Sequence, residues 1–325
     1  MFTRKQLKNR IMLSLFWLTV IFCVLAAAGC VGKKEPVKKP MAPEALGEEP
    51  VISLYDHKTG EKKNIKIEDY IMGVVAAEMD TKWPVNALAA QAILARTFTM
   101  ENIKAGRVRE LHGTDASTSV EEFQAYDPSK INDNVKKAVE LTRGEVVTYG
   151  GNYIHAWFSA CDAGVSATAE EGLNYTKEPT PYVKGGVKDG CLSITEPVNR
   201  HWEVKVPLSA VRSAVQKITG TDPGNITSAS IVKKGPSGRA EQIKIGNSTV
   251  GGPALRLALG SDKMRSTLLT GIVVEDGYLV MTGKGYGHGV GMCQWGARLL
   301  AEQGKSPEDI INFYFQGVEI KRQWK

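Results

Sequence analysis

The chain has 325 residues, of which 42% are hydrophobic and 23% charged, with a formal net charge of +6. That composition excludes a disordered polymer and suits one large domain or two small ones. Arg4, Lys5, Lys8 and Arg10 sit in the first thirty residues with no acid beside them. The rest is nearly balanced, and no basic face of the kind nucleic acid requires is expected.

Residues 1–30 read as a processing or anchoring segment. A basic start precedes IMLSLFWLTVIFCVLAAAGC, an apolar run that ends in small residues. Ala27-Ala28-Gly29-Cys30 resembles a bacterial lipoprotein box, with Cys30 as the lipidated residue and Ala27 where a leucine is usual. The alternative is an uncleaved membrane anchor, for which the run is about long enough. Both readings put residues 31–325 outside the cytoplasmic membrane. Residues 31–50, rich in Pro, Lys and Glu, read as a linker. One large domain is expected over residues 51–325, with about 100–200 as a candidate subdomain.

VISLYDHKTGEKKNIKIEDY reads as a hairpin turning at Lys58-Thr59-Gly60. A helix follows from Glu68, and a second begins near Pro84, which suits a first helical turn. The second helix, VNALAAQAILARTFTM, is alanine-rich, so the two are expected to pack closely. EVVTYGGNYIHAWFSA reads as a hairpin turning at Gly150-Gly151. Residues 161–200 are loop-rich. HWEVKVPLSAVRSAVQKIT gives a strand and a helix, and alternating strands run from about Ser228 to Gly283. SPEDIINFYF closes with a helix capped by Ser306, with Pro307 at its first position and Asp309 completing a capping box. No internal repeat is found. The expected fold class is α+β, with helices and antiparallel strands in one large domain.

On the first helix, Ile67, Ile71, Val74 and Val75 define an apolar stripe whose continuation reaches Glu78. A carboxyl on such a stripe is desolvated, which favours its protonated form, the form a general acid needs. The bland reading is that Glu78 sits at the helix end and swings into water. Arg96, on the second helix among Ala89, Ala92 and Ile93, also lies on an apolar face and calls for a carboxylate. It is either a structural pair or a guanidinium beside a catalytic acid.

In GKGYGHGVGMCQWGARLLAEQG, glycine occupies positions 283, 285, 287, 289 and 291. A strand of that sequence would have one bare face; the same spacing also permits an irregular turn. Either way Tyr286 and His288 project together, followed by Gln294 and Trp295, a set suited to stacking on sugar rings and bonding hydroxyls. Cys293, five residues after His288, is a weaker candidate as a thiol nucleophile. His155, Cys161, Cys191 and His201 are zinc-capable types without tight paired spacing. A Cys161–Cys191 disulfide competes with zinc at those positions.

EDYIMGVVAAEM, WPVNALAAQAILARTFTM and GKGYGHGVGMCQWGARLLAEQGKSPEDIINFYFQGVEI resemble, in order and separation, three blocks of the stage II sporulation protein D family, which includes the amidase-enhancer domain. The resemblance covers roughly residues 50–320. It implies a lytic transglycosylase that cleaves peptidoglycan between N-acetylmuramic acid and N-acetylglucosamine on peptide-free strands. It also implies partner hydrolases or a wall amidase, and a membrane tether. The family's catalytic acid falls on Glu78 and its essential arginine on Arg96. Some members hold zinc; His155 and Cys161 match part of that ligand pattern, while Ser166 and Ala167 stand where the further ligands belong. No other cofactor is implied. The second reading from the family is a non-catalytic wall-binding module that enhances an amidase.

Overall fold

The computed structural model describes residues 46–325. The expected leader, Cys30 and most of the linker lie outside the described residues. Among the described residues no helix is long and apolar enough to cross a membrane. The fold is α+β, as expected.

Strands β1 (Val51–Tyr55) and β2 (Lys62–Lys66) pair antiparallel across the predicted turn, with Ile52 opposite Ile65. The chain then passes directly into α1 (Ile67–Glu78) and, after Pro84, into α2 (Val85–Ala105), which stops at Gly106 in the left-handed region. Then come α3 (Arg107–His112), β3 (Ala116–Ser117), α4 (Asp133–Leu141), β4 (Glu145–Tyr149), β5 (Asn152–Tyr153), β6 (Phe158–Ser159), α5 (Ala169–Leu173) and α6 (Pro197–Arg200). A second group runs β7 (Trp202–Pro207), α7 (Leu208–Thr219), β8 (Ala229–Lys234), β9 (Ala240–Ile245), β10 (Ser248–Gly251), α8 (Gly252–Leu259), β11 (Leu269–Glu275) and β12 (Tyr278–Gly283). The chain closes with β13 (Met292–Cys293), α9 (Gln294–Glu302), α10 (Pro307–Tyr314) and β14 (Glu319–Arg322). The Ser306–Asp309 capping box of α10 forms as predicted.

The sheets are small: β2-β1-β3, β14-β4-β5, β11-β12-β7, β10-β9-β8 and the pair β13-β6. Most pairs are antiparallel; β1 with β3 and β13 with β6 run parallel. The apolar side chains gather into three clusters. The first lies around α1, α2 and α4. The second lies between the far side of α2, the 154–191 stretch, α9 and α10. The third is built wholly from residues 202–281. The stretch with its own core is therefore 202–281. Residues 100–200, the expected subdomain, divide their buried side chains between the first two clusters, because α2 carries alanines and leucines on both sides and serves both.

The deepest polar feature lies in the first cluster. Glu68 (2% exposed) and Arg96 (0%) form a two-pronged ion pair, Nε to Oε1 at 3.0 Å and Nη2 to Oε2 at 2.7 Å. Glu68 Oε1 also accepts from the Gly144 amide at 3.0 Å and from Trp324 Nε1 at 2.8 Å. Arg96 Nη1 donates to the Glu145 carbonyl at 2.8 Å. This knot ties α1, α2, the start of β4 and the chain's C-terminal end. Removing one partner from a buried pair leaves an uncompensated charge, at about 3–5 kcal/mol. Arg96→Leu should therefore lower the thermal midpoint by roughly 10 °C, read by calorimetry or circular dichroism. Unchanged stability would show that the pair is not structural.

Candidate functional site

Ten residues separate Glu68 from Glu78, which puts them about 15 Å apart along α1. The knot holds one end of the helix, and the other end carries Glu78 to the wall of a cleft of about 580 Å³. Glu78 is half-buried there. The backbone amide of Ala125 donates to its Oε1 at 3.1 Å, and the Gln294 side chain also bonds to the carboxyl. Ala125 is delivered by a segment that lies flat on α1: the Asp127 amide donates to the Gly73 carbonyl at 3.0 Å, and the Tyr126 ring covers Gly73 so closely that a Cβ there would fall 2.3 Å from it. Burial pushes the Glu78 carboxyl up from the ordinary glutamate range, while the bonds from Ala125 and Gln294 pull it back.

Tyr286, His288 and Gln294 line the same cleft, with Phe98, Phe123, Gln124, Phe158 and Arg256. Glu78 is the only carboxylate among the lining residues. His288 Nδ1 accepts from the Val290 amide at 3.0 Å, so a neutral ring carries its proton on Nε2. Burial, then the charges of Arg256 and Arg239, lower its pKa to about 3. Gln294 Nε2 also donates to Gln91 Oε1 at 3.3 Å. The glycine run is an irregular turn, not a strand: glycines 285, 287, 289 and 291 all have positive φ. Two of them show why. A Cβ on Gly291 would fall 2.0 Å from the Trp157 carbonyl, and one on Gly289 would fall 2.1 Å from the Arg239 guanidinium. The glycines let this turn lie against the 157–163 stretch, and that contact holds Tyr286 and His288 at the cleft.

A family model described as stage II sporulation protein covers residues 55–149, the stretch that holds Glu78 and its amide donor. Stage II sporulation protein D of Bacillus amyloliquefaciens is 32% identical over 298 residues, covering 86% of this chain and 81% of that protein. Its counterpart in Bacillus subtilis is 30% identical, with 85% and 81% covered. The chain belongs to the stage II sporulation protein D family. An uncharacterized protein of Brachyspira hyodysenteriae is 34% identical over 79% of this chain and 67% of its own length. The amidase enhancer of Bacillus subtilis is 29% identical over 77% of this chain but only 40% of its own length. A second family model, described as a domain of unknown function, covers residues 191–291, the stretch that contains the third core. Membership in the family ties the chain to a sporulation or cell-wall role.

The structure brings Glu78, Tyr286, His288 and Gln294 together and leaves three other candidates outside the cleft. Arg96 is in the Glu68 knot, about three helical turns from Glu78, and does not reach the acid. Trp295 stacks against Trp83 with ring centroids 4.7 Å apart, and Arg298 lies over both rings. Cys293 is fully buried and accepts from the Gly296 and Asp162 amides, so it presents no nucleophile to the cleft. The zinc ligand set implied by the resemblance does not assemble either. His155 Nε2 meets Glu178 at 2.6 Å and the Tyr175 hydroxyl at 2.9 Å. Ser166 Oγ is committed to the Lys184 carbonyl and the Val187 amide, and Ala167 has no donor. His201, the remaining zinc-capable histidine, is exposed in the loop after α6. Arg256 and the Ala125 amide escaped sequence reasoning; one stands in an ordinary amphipathic helix, and the other is a backbone group with no side-chain signal.

Because Gln294 bonds to the charged form of Glu78, Gln294→Leu should raise the Glu78 midpoint further, measured by carboxyl-carbon NMR titration. The folded chain holds this proton more tightly than the unfolded chain does. Stability therefore falls as pH rises from the ordinary glutamate pKa to the raised folded value, and Glu78→Gln should raise the neutral-pH thermal midpoint. An ordinary midpoint for Glu78 in the parent would contradict both.

Proposed function

We propose that the protein is a lytic transglycosylase acting on peptide-free peptidoglycan strands. The observation that carries this is the solitary acid: a half-buried glutamate with a raised pKa, in an aromatic-lined cleft with no second carboxylate among the described residues. Hydrolytic glycosidases generally need two carboxylates. A transglycosylase manages with one. Protonated Glu78 donates to the glycosidic oxygen as the bond to C1 of the muramic sugar breaks. The resulting carboxylate takes the proton of that sugar's own C6 hydroxyl, whose oxygen attacks C1 and closes a 1,6-anhydro ring. The acid ends protonated again, and no water is consumed.

The ionisations of the cleft residues suit these roles. A carboxyl held above the usual range is still partly protonated where ordinary glutamates are charged. His288 stays neutral through the working range, so it serves as a hydrogen-bonding wall and not as a base. Tyr286 and Phe158 offer ring faces to sugar. The family membership supports a wall substrate. The same reading puts the domain outside the cytoplasmic membrane, tethered by its N-terminal segment as an anchor or through a lipidated Cys30, in sporulation engulfment or wall remodelling.

A second reading is that the chain binds glycan and enhances an amidase without cutting, favoured by the likeness to a protein named amidase enhancer. Incubation of the protein with peptide-free strands and mass spectrometry of the products separates the two. Anhydro-muramic ends are expected from the parent, and Glu78→Gln should lose at least about 10³-fold of that activity, the scale of a general acid that also serves as the base. Binding of strands without anhydro ends from the parent would favour the module that serves an amidase.

A further inference from the structure

The zinc-capable residues absent from the expected set are found elsewhere. The thiol sulfurs of Cys161, Cys191 and Cys293 lie within 4.8 Å of one another, and all three residues are buried. Within the same distance, Cys191 and Cys293 also share a group with carboxylate oxygens of Asp162 and Asp189. Asp189 is satisfied: one oxygen accepts from the Cys191 amide at 2.9 Å and the other from the Tyr314 hydroxyl at 2.8 Å. Asp162 is not. Its Oδ1 accepts from the Gly164 amide at 2.8 Å and lies 3.3 Å from Cys191 Sγ. Its Oδ2 is buried with no partner, in a residue only 1% exposed.

We propose that Cys161, Cys191 and Cys293 form a structural zinc site behind the cleft wall, with Asp162 beside it. A tetrahedral centre with zinc–sulfur bonds of about 2.3 Å sets its sulfurs about 3.8 Å apart; Cys161 Sγ and Cys191 Sγ are 3.6 Å apart. Donor chemistry agrees, since thiolates select zinc over magnesium or calcium. Charge agrees too. The nearest buried cation, Arg239, gives its Nη2 to the Asp162 carbonyl and its Nη1 to the Val165 carbonyl and Ser237, so neither nitrogen reaches the Asp162 carboxylate. Arg239 acts on Asp162 only through space; a buried carboxylate without a bonded cation is costly, and a divalent ion offsets that cost. The competing Cys161–Cys191 disulfide would use two of the three thiols and leave Cys293 and the bare Asp162 oxygen unexplained.

The site would join three segments. Cys161 exchanges backbone hydrogen bonds with Tyr286 at 2.9 and 2.8 Å, on the glycine-rich turn. Cys191 belongs to the loop-rich stretch. Cys293 caps α9, one residue before Gln294. A metal there fixes the turn that carries His288 and the helix start that carries Gln294, and takes no part in the chemistry. The ligand set shares only Cys161 with the one the family resemblance implies.

The test is metal analysis of the full chain by plasma mass spectrometry, with peptide-resolved alkylation carried out without reductant. The expected result is close to one zinc per chain, with the three thiols alkylated only after chelation and unfolding. Cobalt reconstitution should give a thiolate charge-transfer band that weakens in Cys293→Ser, and Asp162→Asn should weaken cobalt binding by at least about tenfold. A metal-free chain overturns the proposal, whether its peptides show a Cys161–Cys191 disulfide or three free thiols. So does full zinc in Cys293→Ser together with loss in His155→Ala. Should Cys293→Ser fail to fold, the parent's cobalt spectrum and alkylation pattern decide alone.

Discussion

The bidentate pair between Glu68 and Arg96 sets the geometry on which the cleft depends. It fixes the first turn of α1 against α2, and through Gly144 and Trp324 it fixes the same turn against β4 and the chain end. A helix held rigidly at one end is a lever about 15 Å long. Whatever stands at its other end is placed by the backbone and not by the freedom of a loop. The 119–127 segment then lies over Gly73, and the Ala125 amide meets Glu78. Arg96 thus matters to the acid through the position of a helix and not through contact.

Much of this was legible in the residues. The stripe of Ile67, Ile71, Val74 and Val75 pointed to Glu78, and the cleft includes it. The hairpin turns, the Pro84 break and the α10 capping box follow from local chemistry that tertiary packing did not override. Pairing Arg96 with Glu78 failed for a definite reason. A single apolar stripe implies a helix buried on one side, but α1 is buried at Ile67, Glu68, Tyr70, Ile71 and from Gly73 to Ala76, on nearly every side. Glu68, one step off the stripe, is therefore as deep as the stripe itself, and periodicity gives no sign of that. The glycine run had two readings because alternate glycines permit both; only the approach of the 157–163 backbone chooses the turn. The core at 202–281 was hidden because its strands looked like any others, and what separates them is which partners they find.

The third core also bears on the cleft. Arg256 stands on α8, within residues 202–281, yet it lines the same cavity as Glu78 and helps to hold His288 neutral. Its Nε donates to the Arg265 carbonyl at 3.1 Å, and the Arg265 guanidinium lies 4.2 Å from the centre of the Tyr286 ring. The cleft is thus lined both by helices of the first core and by the glycine turn together with Arg256 of this second group.

Two glutamates on one helix show how environment divides structure from chemistry. Glu68 receives four hydrogen bonds, two of them from a guanidinium, so its negative charge is fully compensated and it does nothing but hold. Glu78 receives one from a backbone amide and one from an amide side chain, with no cation bonded to it. It also sits at the C-terminal end of α1, where the unpaired carbonyls of the last turn disfavour a negative charge. Its charged form is therefore left short, and the proton becomes easier to keep and still easy to give. Adding a cation at Glu78 would favour its charged form and remove the proton that the proposed reaction needs. The secure carboxylate and the unsettled one are ten residues apart, and the first supplies the rigidity that holds the second at the cleft, where the proposed reaction would use it.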